Sequence, residues 1–368
     1  MAARAGVLLR VDAERTIDAL TERVRSVKTA VEAAASGAGS SAAARPSVPP
    51  TAIMGLSGGL DSAVLATIAV RALGPRGLRL AYLYDHLAPA EGRANARAVA
   101  AALGVQLEEV SIEADMRAAG VYDPPAVRLT ALSARLNRAL YGLRPLLTRD
   151  ESYVAAVRAE DPDAGPAAPS GFIIRTFSLP VSSSFAVRSI HRRRVLETEA
   201  DRSGCFLLGG ANRTEWLTGW FRKDGIDDLP EQPLVGLYKT QVRQLARVLG
   251  VPEQVRLAAP SPDTLSGVTD EMGLGLPYGT LDLALDFLSG GVTREQAIAA
   301  GVSARDVGHV ERLLCGSAWK RRRTDGASTG DVVPSDVREL RAMSPLPVDG
   351  GPRGGLRGGP SGGSATPV

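Results

Sequence analysis

Residues 52–64, A-I-M-G-L-S-G-G-L-D-S-A-V, decide the fold of this chain. Ala52 to Leu56 is an apolar run of strand length. Ser57-Gly58-Gly59-Leu60-Asp61-Ser62 is a tight polar loop, and Val64, Leu65, Ile68, Ala69 and Ala72 then recur at helical spacing. Strand, glycine loop and helix N-terminus together make an anion site. The glycines let backbone approach a phosphate, and the first-turn N–H groups point at it. Ser57 and Ser62 add hydroxyl donors. Asp61 would repel a bare phosphate, so its presence implies a bridging Mg²⁺. The loop lacks the Gly-Lys-Ser/Thr ending of a Walker A cradle. Gly58-Gly59 alone would read as a simple turn; the whole string asks for more.

Outward from this unit the pattern alternates. Leu78 to Tyr84 reads as a second strand, Arg93 to Leu103 as a helix and Val105 to Ile112 as a third strand. Phe206 to Gly209 reads as another strand, with a helix from Trp216 onward. The expected class is α/β: a doubly wound parallel sheet with helices on both faces and its ligand at the carboxyl ends of the strands. Ahead of it, Ile17, Leu20, Val24, Val27 and Val31 predict an amphipathic helix over 10–35. Residues 1–50 are thus an N-terminal helix and an Ala/Gly/Ser/Pro linker, and 51–325 the main domain. An insertion at about 114–182 interrupts that domain; it is either a lid or a poorly ordered excursion. Residues 326–368, rich in Gly, Pro and Ser, are expected to be disordered.

The composition excludes several classes. With 43 basic and 40 acidic residues the net charge is +3, which gives no warrant for a nucleic-acid partner. Cys205 and Cys315 are the only cysteines, too few for a disulfide framework or zinc cluster, and both are expected as buried thiols. His86, His191 and His309 show no metal spacing. No signal peptide or membrane-length apolar stretch is visible, so a cytoplasmic enzyme without a membrane partner is expected. The basic runs Arg192-Arg193-Arg194 and Lys320-Arg321-Arg322-Arg323 read as solvated faces.

A second informative block runs from Leu207 to Tyr278. It holds L-L-G-G-A-N-R-T-E-W-L-T-G-W-F-R-K-D-G, then L-Y-K-T-Q-V and A-P-S-P-D-T-L-S-G-V-T-D-E. Gly209-Gly210 ends a strand and lets backbone approach a ligand. Glu215 falls in the first turn of the next helix, where its carboxylate could share a metal with Asp61. Lys239 opens a helix and can reach a phosphate. Ser261, between Pro260 and Pro262, sits on a stiff loop that could close over a reaction centre. Taken singly, Glu215 reads equally as a solvated helix-start acid, Lys239 as a surface charge and Ser261 as a turn residue.

The S-G-G-x-D-S loop resembles that of the N-type ATP pyrophosphatases. The two blocks in this order resemble the NAD⁺ synthetase family in its short, ammonia-using form, over roughly residues 50–112 and 184–323. The resemblance implies adenylation of the carboxylate of deamido-NAD⁺ by ATP, with pyrophosphate leaving, then attack by ammonia to give NAD⁺ and AMP. By the same resemblance Gly55, Leu56, Ser57, Gly58, Gly59, Leu60, Asp61, Ser62, Tyr84, Gly210, Lys239 and Ser261 contact ATP. Asp61 and Glu215 hold Mg²⁺, and Arg188 contacts the acid; Asp227 or Asp228 joins it if their loop is shifted against the family's. Asp61, Lys239 and Ser261 lie nearest the chemistry. Leu265 to Glu271 is similar to the family's mobile phosphate-side loop, and the N-terminal helix to its homodimer architecture. Ammonia is free or comes from a separate glutaminase, because no glutamine-hydrolysing domain fits into 50 residues.

The departures gather on the substrate side, and one of them removes a hydroxyl contact to ATP. Gly210 stands where the family has Thr, Pro230 where it has an aspartate, and Arg93 and Asn95 replace an acidic pair. They leave a second reading, an amide synthetase of the same fold for another carboxylic acid in a specialised pathway. A third reading is a non-catalytic nucleotide-binding protein, against which Asp61, Glu215 and Lys239 argue.

Overall fold

The computed structural model describes residues 2–37, 52–139, 152–163, 174–262 and 266–322. The linker from 38 and the tail expected at 326–368 lie outside the described residues. Among the described residues four strands form one parallel sheet in the order β3-β2-β1-β4: β1 Ala52–Gly55, β2 Leu78–Tyr84, β3 Leu107–Ser111 and β4 Phe206–Leu207. Ala52 pairs with Leu78 on one side and Phe206 on the other. Ala52, Ile53 and Met54 are all buried, as a central strand covered on both faces requires.

Side-chain alternation along β1 sorts the two faces. Met54 and Leu56 join Leu80, Val64, Leu65, Ile68, Val242 and Leu245 in one core. Ile53 joins Ala81, Leu83, Met116, Leu196 and Ala200 in the other. Burying one such aliphatic side chain contributes about 1.5–3 kcal/mol, so the two cores fix the register firmly. The first face is covered by the Leu60–Leu73 and Lys239–Val248 helices and by the N-terminal helix, observed at Ala13–Gly37. Ile17, Leu20 and Val24 of that last helix are buried in the same core. The second face is covered by the Leu179–Ser203 helix. A separate apolar cluster lies in the C-terminal helices, around Leu281, Leu285, Val310, Leu313 and Leu314.

Three expectations need correction. β4 stops at Leu207 instead of Gly209, because the chain turns away there: Gly209 N donates to Glu231 O at 2.8 Å and Ala211 N to Gln232 Oε1 at 2.9 Å. The helix expected from Trp216 starts at Arg213 and ends at Thr218, where Gly219 takes φ 71°. The thiols are not buried: Cys205 is half-buried and Cys315 exposed. Cys315 lies on the outer side of the Ala304–Gly316 helix, whose inner side is taken by Val310, Leu313 and Leu314.

Among the described residues no helix is long and apolar enough to cross a membrane. The Glu113–Ala118 helix leads into the expected insertion, and Pro125–Leu132 and Ser152–Ala159 within it are helical.

Candidate active site

Strand order reverses between β1 and β4, and a cavity of about 370 Å³ opens at their carboxyl ends. That is where a doubly wound sheet places its ligands, and the volume is in the range of small-molecule sites. One wall is the loop and helix start from Gly55 to Ser62. Gly58 has φ +82°, and a Cβ there would stand 2.0 Å from the Gly92 carbonyl oxygen, so the turn has room only for glycine. The hydroxyls brace it. Gly59 N donates to Ser57 Oγ at 3.2 Å, Ser62 Oγ donates to Gly59 O at 3.0 Å, and the two hydroxyls are 3.1 Å apart.

Asp61, in the first turn of the Leu60–Leu73 helix, faces two side chains from other elements. Its carboxylate pairs with Lys239 Nζ, and Asn212 Nδ2 donates to it at 2.9 Å. Lys239 Nζ also reaches Glu215 Oε1 at 3.1 Å. Asn212 caps the Arg213–Thr218 helix: its side chain accepts from Glu215 N at 3.0 Å, and Glu215 Oε2 accepts from Asn212 N at 3.3 Å. This capping box aims the Glu215 carboxylate at the cavity. Behind it, Lys239 N donates to Thr214 Oγ1 at 2.9 Å. Thr214 donates on to Asp282 at 2.6 Å, and Asp282 also accepts from Thr240 N at 2.8 Å. The two helix starts are thereby locked to one buried carboxylate.

Burial sets the electrostatics. It raises Glu215 above the ordinary carboxylate range, with Lys239 opposing and Asp61 adding to the rise. Burial works against the Lys239 charge, yet Asp61 and Glu215 outweigh it and hold the ammonium above its usual range. Asp282 is pushed up to about 6 by burial, against its hydrogen bonds from Thr214 and Thr240. The ring of Tyr278 lies 5.3 Å from Lys239 Nζ, and its hydroxyl donates to Asp270 at 2.9 Å.

Among the described residues no group of three or more His, Cys, Asp or Glu side chains forms a metal cluster. Asp61 and Glu215 nonetheless converge on one cation, Lys239. Two convergent carboxylates fit a magnesium ion whose remaining ligands are phosphate oxygens and water.

Most of the expected residues meet here. Gly55, Leu56, Ser57, Gly58, Gly59, Leu60, Asp61, Ser62, Gly210, Glu215, Asp227, Lys239 and Ser261 all line the cavity, as does Asn95. Tyr84, Arg188 and Asp228 are not on its wall. Tyr84 packs under the Arg93 guanidinium at 4.5 Å. Arg188 is fully buried in a two-pronged ion pair with Asp85. Asp228 is turned into its own loop, accepting from Asp224 N at 2.9 Å and facing Lys223 Nζ at 3.4 Å. Of the loop expected at Leu265 to Glu271, Leu265 lies outside the described residues; Asp270 opens a short helix and borders the cavity.

Other lining residues escaped the sequence reading. Asn212, beside the lining, had a visible signal in its Asn-x-x-Glu spacing to Glu215. Glu160 accepts from Arg222 Nη1 at 3.0 Å and from Ser182, the Arg222 guanidinium lies 5.8 Å from the Phe185 ring centre, and Phe177 and Trp220 also line the cavity. The basic runs are not wholly solvated, which corrects the sequence expectation. Arg192 is buried and lines the cavity. Lys320 donates to Gly219 O at 3.0 Å and Phe221 O at 2.8 Å, and Arg321 to Leu217 O at 2.8 Å and Leu314 O at 2.7 Å. These cations are drawn inward by the carbonyls that helix and turn ends leave unpaired. In that run Arg322 stays exposed, 3.1 Å from Asp163.

A family model described as NAD synthase matches residues 46–136 and 185–324, well over half of the chain. An NH(3)-dependent NAD(+) synthetase of Thermotoga maritima is 31% identical over 234 residues, 64% of this chain and 78% of the relative. One from Rhizobium meliloti is 27% identical over 297 residues, 78% of this chain and 86% of the relative. Among solved structures, the NMN synthetase of Francisella tularensis superposes with a TM-score of 0.57 at 20% identity, over 85% of this chain and 97% of the other. The NH3-dependent NAD synthetase of Campylobacter jejuni does so with a TM-score of 0.53 at 14% identity, over 86% and 100%. At such identities the solved structures speak for the fold alone.

Proposed function

Because the chain belongs to the NAD synthase family, and is therefore a ligase joining carbon to nitrogen, we propose that it amidates the carboxylate of deamido-NAD⁺ with ATP and ammonia. The observation that carries this reading is Lys239, gripped by Asp61 and Glu215 beside the Gly58-Gly59 loop. An ammonium, two carboxylates and a ring of helix-start N–H groups on one wall suit a triphosphate and a divalent ion.

A carboxylate oxygen of the acid attacks the α-phosphorus, the bond to the β-phosphate bridging oxygen breaks, and pyrophosphate leaves with the electron pair. Ser57, Ser62 and the loop amides receive the leaving group, and Lys239 balances its growing charge. Asp61 and Glu215 would hold Mg²⁺ jointly with the phosphates, and the ion would supply further charge neutralisation. Ammonia then adds to the acyl carbon of the mixed anhydride, AMP departs with the C–O electron pair, and the surplus proton passes to solvent. Asp227, on the acid side of the cavity, receives the ammonia or the product amide, and Ser261 closes the mouth over the triphosphate. The protein's share is positioning and fixed charge.

The test is turnover by the purified chain with ATP, Mg²⁺, ammonium and deamido-NAD⁺. Equal yields of NAD⁺, AMP and pyrophosphate are expected; no AMP would end the proposal. A second reading, amidation of a different acid, is favoured by one observation. Glu160, which occupies Arg222, is carried by residues 137–184, outside the family match. A panel of carboxylic acids separates the two by kcat/KM.

A further inference from the structure

Among the described residues, four lysine or arginine side chains line the cavity: Arg192, Arg222, Lys239 and Lys320. Three have acceptors. Lys239 has Asp61 and Glu215, Arg222 has Glu160, and Lys320 has the carbonyls of Gly219 and Phe221. Arg192 has none among the described residues. It is only 7% exposed, and its Nε is buried without a hydrogen-bond partner. Its charged neighbour one turn earlier is Arg188, a like charge whose own carboxylate, Asp85, is already taken at both oxygens. A buried guanidinium with no counter-charge is unfavourable unless a ligand completes it.

The surroundings locate that ligand. Val181, Ser182, Phe185, Ser189 and Arg192 form one face of the Leu179–Ser203 helix, turned to the cavity. Ser189 Oγ accepts from Ile226 N at 3.2 Å, next to Asp227. One turn beyond Arg192, Leu196 packs at Gly55, where the phosphate loop begins. Arg192 therefore stands between the nucleotide loop and the acid side. The triphosphate already has Lys239 and the loop amides. A guanidinium on the attacking carboxylate would tie up the lone pairs that must reach phosphorus. The remaining partner is an anionic group that persists through the reaction, and a guanidinium fork fits phosphate or carboxylate oxygens.

We propose that Arg192 is a specificity residue that binds a second, non-reacting anionic group of the acid substrate, a phosphate or a second carboxylate. The inference rests on the amide-ligase reading, and restricts its substrates to acids carrying such a group.

The test is calorimetric binding to the full chain and its Arg192→Met and Arg192→Lys variants. The probes are deamido-NAD⁺, nicotinic acid mononucleotide, nicotinic acid, simple dicarboxylic acids and ATP. Arg192→Met should weaken binding of the phosphate-bearing acids about 10- to 100-fold, the loss of one charge-assisted pair. Nicotinic acid and ATP should shift less than about twofold, and Arg192→Lys should recover part of the loss. Loss confined to dicarboxylic acids would identify the group as carboxylate and keep the role. An equal loss for ATP, no loss for any acid, or no binding of these acids by the unaltered chain would overturn it. The ligand-free thermal midpoint of Arg192→Met should hold or rise, since a repulsion with Arg188 is removed. A fall with unchanged acid affinity would make the role structural and overturn the proposal. Binding is read without turnover, so a chain that binds these acids yet forms no AMP would fail the amide-ligase reading alone.

Discussion

Nζ of Lys239 lies 3.1 Å from Oε1 of Glu215, although the two residues are 24 positions apart and open different helices. The same ammonium pairs with Asp61 from a third helix. One cation thus holds two carboxylates together in a buried place. Lys239→Met removes it and leaves both acids facing each other. The expected result is a loss of about 3–5 kcal/mol in urea unfolding, as for any buried pair broken on one side. AMP formation should fall by about 100-fold or more. Lys239→Met with Glu215→Gln should regain stability without regaining activity. If activity returns with stability, Lys239 serves only the fold.

Asn212 does two tasks, capping Glu215 N and donating to Asp61. Substitutions separate them. Asn212→Ala loses both and should cost about 1 kcal/mol through the cap alone. Asn212→Asp keeps a good cap but sets a carboxylate against Asp61. It should therefore be more stable than the alanine variant and yet bind ATP more weakly. Stability from thermal melts and KM for ATP decide it; a lower KM in the aspartate variant would refute the orientation argument.

The strand–loop–helix at 52–64 was legible because period, glycines and polar loop agree over thirteen consecutive residues. The convergence of Asp61, Glu215 and Lys239 was legible only through resemblance, since no local pattern links residues on three helices. Arg192 and Lys320 were misread for one physical reason. A basic run on a helix is normally solvated, and only tertiary packing shows which carbonyls or cavity draw one member inward. Arg188 carried the opposite lesson. Its charge is spent on Asp85, a partner 103 positions away that no spacing rule reveals.

Gly58 gives a steric prediction. A methyl group there would meet the Gly92 carbonyl at 2.0 Å on a backbone with φ +82°. Backbone cannot yield as a flexible side chain does, so Gly58→Ala should lose about 2 kcal/mol or more. Gly59 has only Ser57 Oγ nearby, at 3.2 Å. Gly59→Ala should fold with smaller loss and show mainly a raised KM for ATP. Equal stability of the two variants would place the Gly58 turn elsewhere.

Lys320 gives a prediction in pH. Burial, assisted by Arg222 and opposed by Glu160, brings its ammonium down to about 7 from an ordinary 10.5. Between those values the unfolded chain holds a proton on this group that the folded chain has released. Unfolding then takes up a proton, so stability rises with pH through the window, with a slope of at most about 1.4 kcal/mol per pH unit. Below about 7 both states are protonated and the contribution is flat. Lys320→Met removes the titration, and its stability between pH 7 and 9.5 should lack this rise. Urea midpoints of the two proteins across that range measure the difference directly. Parallel curves would mean that the carbonyls of Gly219 and Phe221 keep Lys320 charged, and that its proton stays on throughout.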